Sequence, residues 1–138
     1  MTSDRRGVVL LALLLVALLV IVVLVSGEVL SRMRGAPSPE EVVDQYLQGM
    51  RRNDAAAVAW LMAADRENRG AIGLRMERYR NIPEGAALEV EHTQHGVASY
   101  LKGARISYRG QVIDEIGMQH QWSRFVGSRW RLFFPPGS

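Results

Sequence analysis

Asp114 and His120 carry the most chemical potential in this sequence. Across residues 111–125, strand periodicity puts Val112, Asp114, Ile116, Met118, His120 and Trp122 on one face, with Glu115, Gln119, Gln121 and Ser123 opposite. An acid and an imidazole thus share a side with apolar residues, where each is costly unless paired or solvated. A carboxylate so placed could abstract a proton beside a carbonyl, with Tyr46 or Tyr108 donating to the developing oxyanion. The alternative has Asp114 at a strand end beside the Arg109-Gly110 turn, open to water, and His120 as a hydrogen-bonded core residue. One bulge in the strand would reverse the parity. The sequence has no Gly-rich phosphate loop, nucleophile elbow or HExxH, so it assigns no catalytic residue and calls for no cofactor.

His92 and His95, with His120 as a third ligand, are the candidate metal set. An i, i+3 pair on a strand points to opposite faces, so one ion could take both only if Thr93 and Gln94 turn; solvated turn histidines are the simpler expectation. Arg66, Arg69, Arg75, Arg78 and Arg80 form a basic group able to meet anionic lipid head groups. Asp65, Glu67 and Glu77 interleave them, so a solvated helical face with local ion pairs is the competing expectation.

The elements that position these residues come after an apolar run of 18 residues, 8–25, without a polar side chain. At about 1.5 Å per helical residue the run covers about 27 Å, close to the hydrocarbon thickness of a bilayer and longer than a typical cleaved signal. The expected organisation is a basic tail over residues 1–6, a signal anchor over 7–27, a stalk over 28–37 and one domain over 38–138. Arg5 and Arg6 abut one end of the run, and Arg32 and Arg34 lie beyond the other. The favoured topology has a cytoplasmic N-terminus and an extracytoplasmic domain in a bacterial cytoplasmic membrane; the alternative is cleavage after 25–27 and secretion.

From residue 38 onward there are 13 Lys+Arg against 12 Asp+Glu, while the first 37 residues hold four arginines against two acids. The basic excess therefore brackets the anchor, and the domain lacks the basic stripe that nucleic-acid binding needs. Without cysteine, the chain forms no disulfide or thiolate metal site and cannot be acylated as a lipoprotein.

Ser38-Pro39-Glu40-Glu41 is a helix start with a capping box, and Val42, Val43, Tyr46, Leu47 and Met50 form a stripe over helix 38–52. Asn53-Asp54 opens an alanine-rich helix through about residue 68, and a third helix is expected over about 72–80. After the Pro83-Glu84-Gly85 turn the period becomes two. Strands are expected over 86–93, 97–108 with a bulge at Lys102-Gly103, 111–125, and a last one with Trp130, Leu132 and Phe134 inward. This order makes an α+β domain.

The phrases SPEEVVDQYLQGMRRNDAAAVAWLM and RFVGSRWRLFF resemble the nuclear transport factor two-like, or SnoaL-like, superfamily over about residues 39–134. That resemblance implies a curved sheet of about four strands wrapped round the helices as a cone, often enclosing a cavity. It is nearly silent on function, because such folds host isomerases as well as non-catalytic modules. The expected role is a membrane-displayed binding or assembly domain with an envelope protein partner. The alternatives are an enzyme or carrier for a small apolar ligand in the cone, and a sensor of anionic lipid.

Overall fold

The computed structural model describes residues 2–94 and 98–138, and the chain divides into two compact units, Met1–Arg32 and Met33–Ser138. Helix α1 (Thr2–Met33) contains the apolar run with every one of its side chains exposed. The run is apolar and uncovered by protein, and α1 is the one described helix long and apolar enough to cross a bilayer. The structure thus supports a single membrane-spanning segment at the N-terminus. Past the run, helical geometry continues through Glu28 and Arg32, which pair at 2.7 Å one turn apart.

The second unit is α+β. Helix α2 (Pro39–Arg51) starts where Ser38 accepts a hydrogen bond from the Glu41 N–H, and it buries Val42, Val43, Tyr46 and Met50. Helix α3 (Ala55–Trp60) is capped by Asp54 and buries Val58 and Ala59. Helix α4 (Arg69–Met76) is capped by Asn68, and a 3-10 turn at Glu77–Tyr79 extends its line. Four antiparallel strands come next: β1 (Glu89–Gln94), β2 (Leu101–Tyr108), β3 (Gln111–Ser123) and β4 (Gly127–Phe133). Ala104, Ile106, Ile116, Met118 and Leu132 close the core from the sheet side.

The cone expected from the nuclear transport factor two-like resemblance is not formed. The sheet is an open, uncurled meander in the order β1-β2-β3-β4, with its first and last strands at opposite edges. The strands pair without interruption except for one register shift between Ile106 and Ser107, where Ile113 is the extra residue on β3. A single bulge bends one strand locally, whereas wrapping a sheet into a cone requires repeated bends across several strands. SnoaL-like kinship is withdrawn with the cone.

Two local expectations also change. The bulge lies at Ile113, not at Lys102-Gly103, which pair in register with Gln94 and Thr93. The alanine-rich helix stops at Trp60 because the next residues join the sheet: the Leu132 N–H donates to the Leu61 carbonyl at 2.8 Å, and Met62 bridges Leu132 in parallel. Asn68, expected inside that helix, starts the next one.

Residues 34–37 are held just as firmly. Ala36 is fully buried and exchanges both backbone hydrogen bonds with Trp130, at 2.9 and 2.7 Å. Gly35 lies at φ +92°, and a Cβ there would come within 2.2 Å of the Trp130 carbonyl oxygen. Gly85, at φ +81°, has open space around it. Gly85→Ala should therefore cost only the left-handed penalty of about 1–2 kcal/mol. Gly35→Ala adds a backbone clash and should cost about 2–5 kcal/mol. Thermal unfolding of the detergent-solubilised chain by near-ultraviolet circular dichroism measures both, and equal shifts would refute the close approach.

Candidate functional site

Asp114 is the centre of the polar interior. The Ile113 bulge is succeeded by regular pairing, so Asp114, Ile116 and Met118 all point into the core, and the Asp114 side chain is fully buried. Sequence periodicity alone groups Val112 with them, but the bulge turns Val112 outward and leaves it exposed.

Five donors converge on this carboxylate. Tyr46 of α2 and Tyr79 of the 3-10 turn both donate to Oδ2, the latter at 2.8 Å. Arg75 of α4 donates to Oδ1, joined there by Arg78 at 3.1 Å and the Glu115 backbone N–H at 2.9 Å. Arg75 also donates to the Glu115 carbonyl at 2.9 Å and to both Ser138 oxygens, and its guanidinium lies 3.9 Å from the Phe134 ring centroid. The Tyr46 ring meets Tyr79 and Phe134 edge-on, with centroids 6.4 and 6.3 Å away.

Burial pushes the Tyr46 hydroxyl far above its ordinary value, and the Asp114 charge adds to the effect. For Tyr79, burial again leads, then the charges of Tyr46 and Asp114. Both phenols therefore remain protonated donors. A carboxylate offers about four lone-pair sites, so five donors leave none for a substrate proton. Asp114 is thus held by donors from α2, α4, the 3-10 turn and β3.

The other sequence candidates are dispersed. Tyr108 ends β2 half-buried, with the Arg109 guanidinium 5.2 Å from its ring. The His120 ring lies tilted against Trp130, centroids 4.9 Å apart, and lines a shallow groove of about 280 Å³ with Asp65, Arg66 and Arg131. His92 is exposed on β1, level with Ile116 through Ala104, which puts it two strands across and four residues along from His120. His95 lies outside the described residues. Among the described residues no three His, Asp or Glu side chains are grouped as a metal would require.

The five arginines divide among four places. Arg75 and Arg78 turn inward to Asp114, and Arg66 lines the His120 groove. Arg69 pairs with Glu67 at 3.0 Å, and Arg80 faces a second groove with Arg51 and Arg52. The Arg69 guanidinium, with Arg34 beside it, holds the Glu67 carboxyl below the usual range. Burial lowers Arg131, against the opposing pull of Asp65.

Sequence periodicity puts Tyr79 in phase with Ile72 and Met76 but misses its bond to Asp114 and the inward turn of Arg75. The signal was present: Ile72, Arg75, Met76 and Tyr79 share one helical face, so the arginine occupies a core phase and requires a buried anion.

Comparisons with protein-family models, curated proteins and solved structures find no match. The geometry alone supports the functional argument.

Removing Asp114 would leave the Arg75 charge buried without its partner. Asp114→Ala should destabilise the domain by about 3–5 kcal/mol, and Tyr46→Phe by about 1–2 kcal/mol, in denaturant melts. The pH dependence has a definite sign. Both phenols are raised above the unfolded value of 10.0, so their contribution is complete below that pH and declines above it. Each tyrosine can remove up to about 1.4 kcal/mol per pH unit there. Melts at about pH 9 and about pH 11 should differ less in Tyr79→Phe than in the parent chain; an unchanged difference would exclude Tyr79 as a source.

Proposed function

We propose that this protein displays its α+β domain on the outer side of a bacterial cytoplasmic membrane, as a non-catalytic binding or assembly module of the envelope. The observation that carries the non-catalytic part is the saturation of the buried Asp114 carboxylate by five donors. The acid that looked most capable of chemistry ties α2 and α4 to β3, and the hydroxyls of buried Tyr46 and Tyr79 close on it.

Support for a membrane role comes from α1, whose exposed apolar length suits a bilayer. Support for the outward topology is the basic tail with Arg5 and Arg6 ahead of a first span, and Glu28 preceding the distal arginines. A nearly neutral domain fits protein partners better than polyanions.

Proteinase K added to intact spheroplasts should digest the domain, as tracked by an epitope at the C-terminus. Protection until the membrane is broken would overturn the outward topology. Gentle detergent extraction should recover the 15.4 kDa chain in a larger assembly of defined composition. Recovery only as a monodisperse, partner-free protein would count against an assembly role.

A further inference from the structure

One end of the sheet carries an aromatic surface that the core does not use. At the β3–β4 hairpin, Trp122 is 67% and Phe125 68% exposed. Tyr100, 52% exposed, belongs to the same end, because its carbonyl accepts the His120 N–H at 2.8 Å. Tyr100 thus lies opposite His120, and Trp122 is two residues farther along the same strand face. The hairpin is ordered from within: Trp122 pairs with Ser128, Ser123 with Gly127, and the Val126 N–H donates to Ser123 Oγ at 3.3 Å.

The charge at this end is of one sign along the strands. Residues 98–105 and 116–138 contain no Asp or Glu, while the Lys102 ammonium lies 5.5 Å from the Trp130 ring centroid and Arg124 falls between Trp122 and Phe125 in the hairpin. The acids of the sheet, Glu89, Glu91, Asp114 and Glu115, belong toward the β2–β3 turn, and Asp65 stands beyond His120 across the groove. Exposed Trp and Tyr with flanking cations is the side-chain chemistry that prefers the head-group level of a bilayer.

The chain also joins the domain beside this hairpin. Ala36 pairs with Trp130, three residues from Gly127, and Arg129 donates to the carbonyls of Met33 and Gly35 at 2.7 and 2.9 Å. Met33 comes only eight residues after the apolar run ends at Val25. Even fully extended, that length reaches about 28 Å.

We propose that the Tyr100, Trp122 and Phe125 end of the sheet is a lipid-contacting surface. Its aromatic rings enter the head-group region of the bilayer that holds the span, and Arg124 meets the lipid phosphates. The tether supplies a high local concentration of lipid, so a small insertion suffices to hold the surface there. The inference rests on the span and the hairpin alone, and it holds for either side of the membrane.

The chain has no cysteine, so single labelling positions can be introduced cleanly. Full-length Phe125→Cys and Gln111→Cys, the second at the opposite end of the sheet, would each carry an environment-sensitive nitrobenzoxadiazole label. They would be reconstituted in phosphatidylethanolamine and phosphatidylglycerol vesicles. The expected result is a blue-shifted emission at position 125, quenched by head-group-level spin-labelled lipid several-fold more strongly than at position 111. Equal quenching at the two positions would overturn the proposal. So would a blue shift at 125 without lipid quenching, which reports burial against another copy of the chain. An unchanged melting temperature for both variants confirms that folded protein is being read.

Discussion

A carboxylate without water must be surrounded by donors, and at Asp114 the donors come from every layer of the domain. Tyr46 arrives on α2, Arg75 on α4, Arg78 and Tyr79 on the turn after it, and the Glu115 N–H on β3 itself. Hydrophobic burial is non-directional and would tolerate some sliding of helices over the sheet. The carboxylate gives the packing a direction, because Oδ2 receives donors from α2 and the 3-10 turn and Oδ1 from α4, that turn and β3. Such a pair adds little net stability over a well-packed apolar substitute, but removing one member leaves the other uncompensated. The helices are therefore located by electrostatics and stabilised by the apolar core around it.

That arrangement depends in turn on one backbone irregularity. From the turn, Tyr108 pairs with Gln111 and Ser107 with Val112, and regular pairing would next set Ile106 opposite Ile113. The extra residue sets Ile106 opposite Asp114 instead. Bulges commonly re-aim a side chain, and here the re-aimed side chain is the acid to which Arg75 and both tyrosines bond.

Much of this was legible before the structure, where it depended on local pattern. The cap at Ser38, the stripe of Val42, Val43, Tyr46 and Met50, and the two-residue period of β3 each derive from neighbours in sequence. The end of α3 was not legible, because it is set by Leu61 and Met62 bonding to Leu132, about seventy residues away. The site was half legible. Parity placed Asp114 inward, but the charge alternation around Arg75 resembles a solvated face, and only its phase with Ile72 and Tyr79 distinguishes it from Arg69. The cone failed for a related reason: capped helices ahead of a strand meander are common to curled and open sheets, and curvature is set by bulges that periodicity does not reveal.

The two edges of the open sheet have opposite fates. The β4 edge is covered by the chain itself, through Ala36 at Trp130 and Met62 at Leu132. The β1 edge carries Glu89, Glu91 and Gln94 with side chains exposed, and charge on an edge strand disfavours further pairing. Growth of the sheet is thus closed on one side by backbone bonds and discouraged on the other by charge. The covering segment at β4 is the same one that receives the chain from the membrane span. Because Gly35 fits against the Trp130 carbonyl only without a Cβ, residues 34–37 are part of the fold and not a free linker.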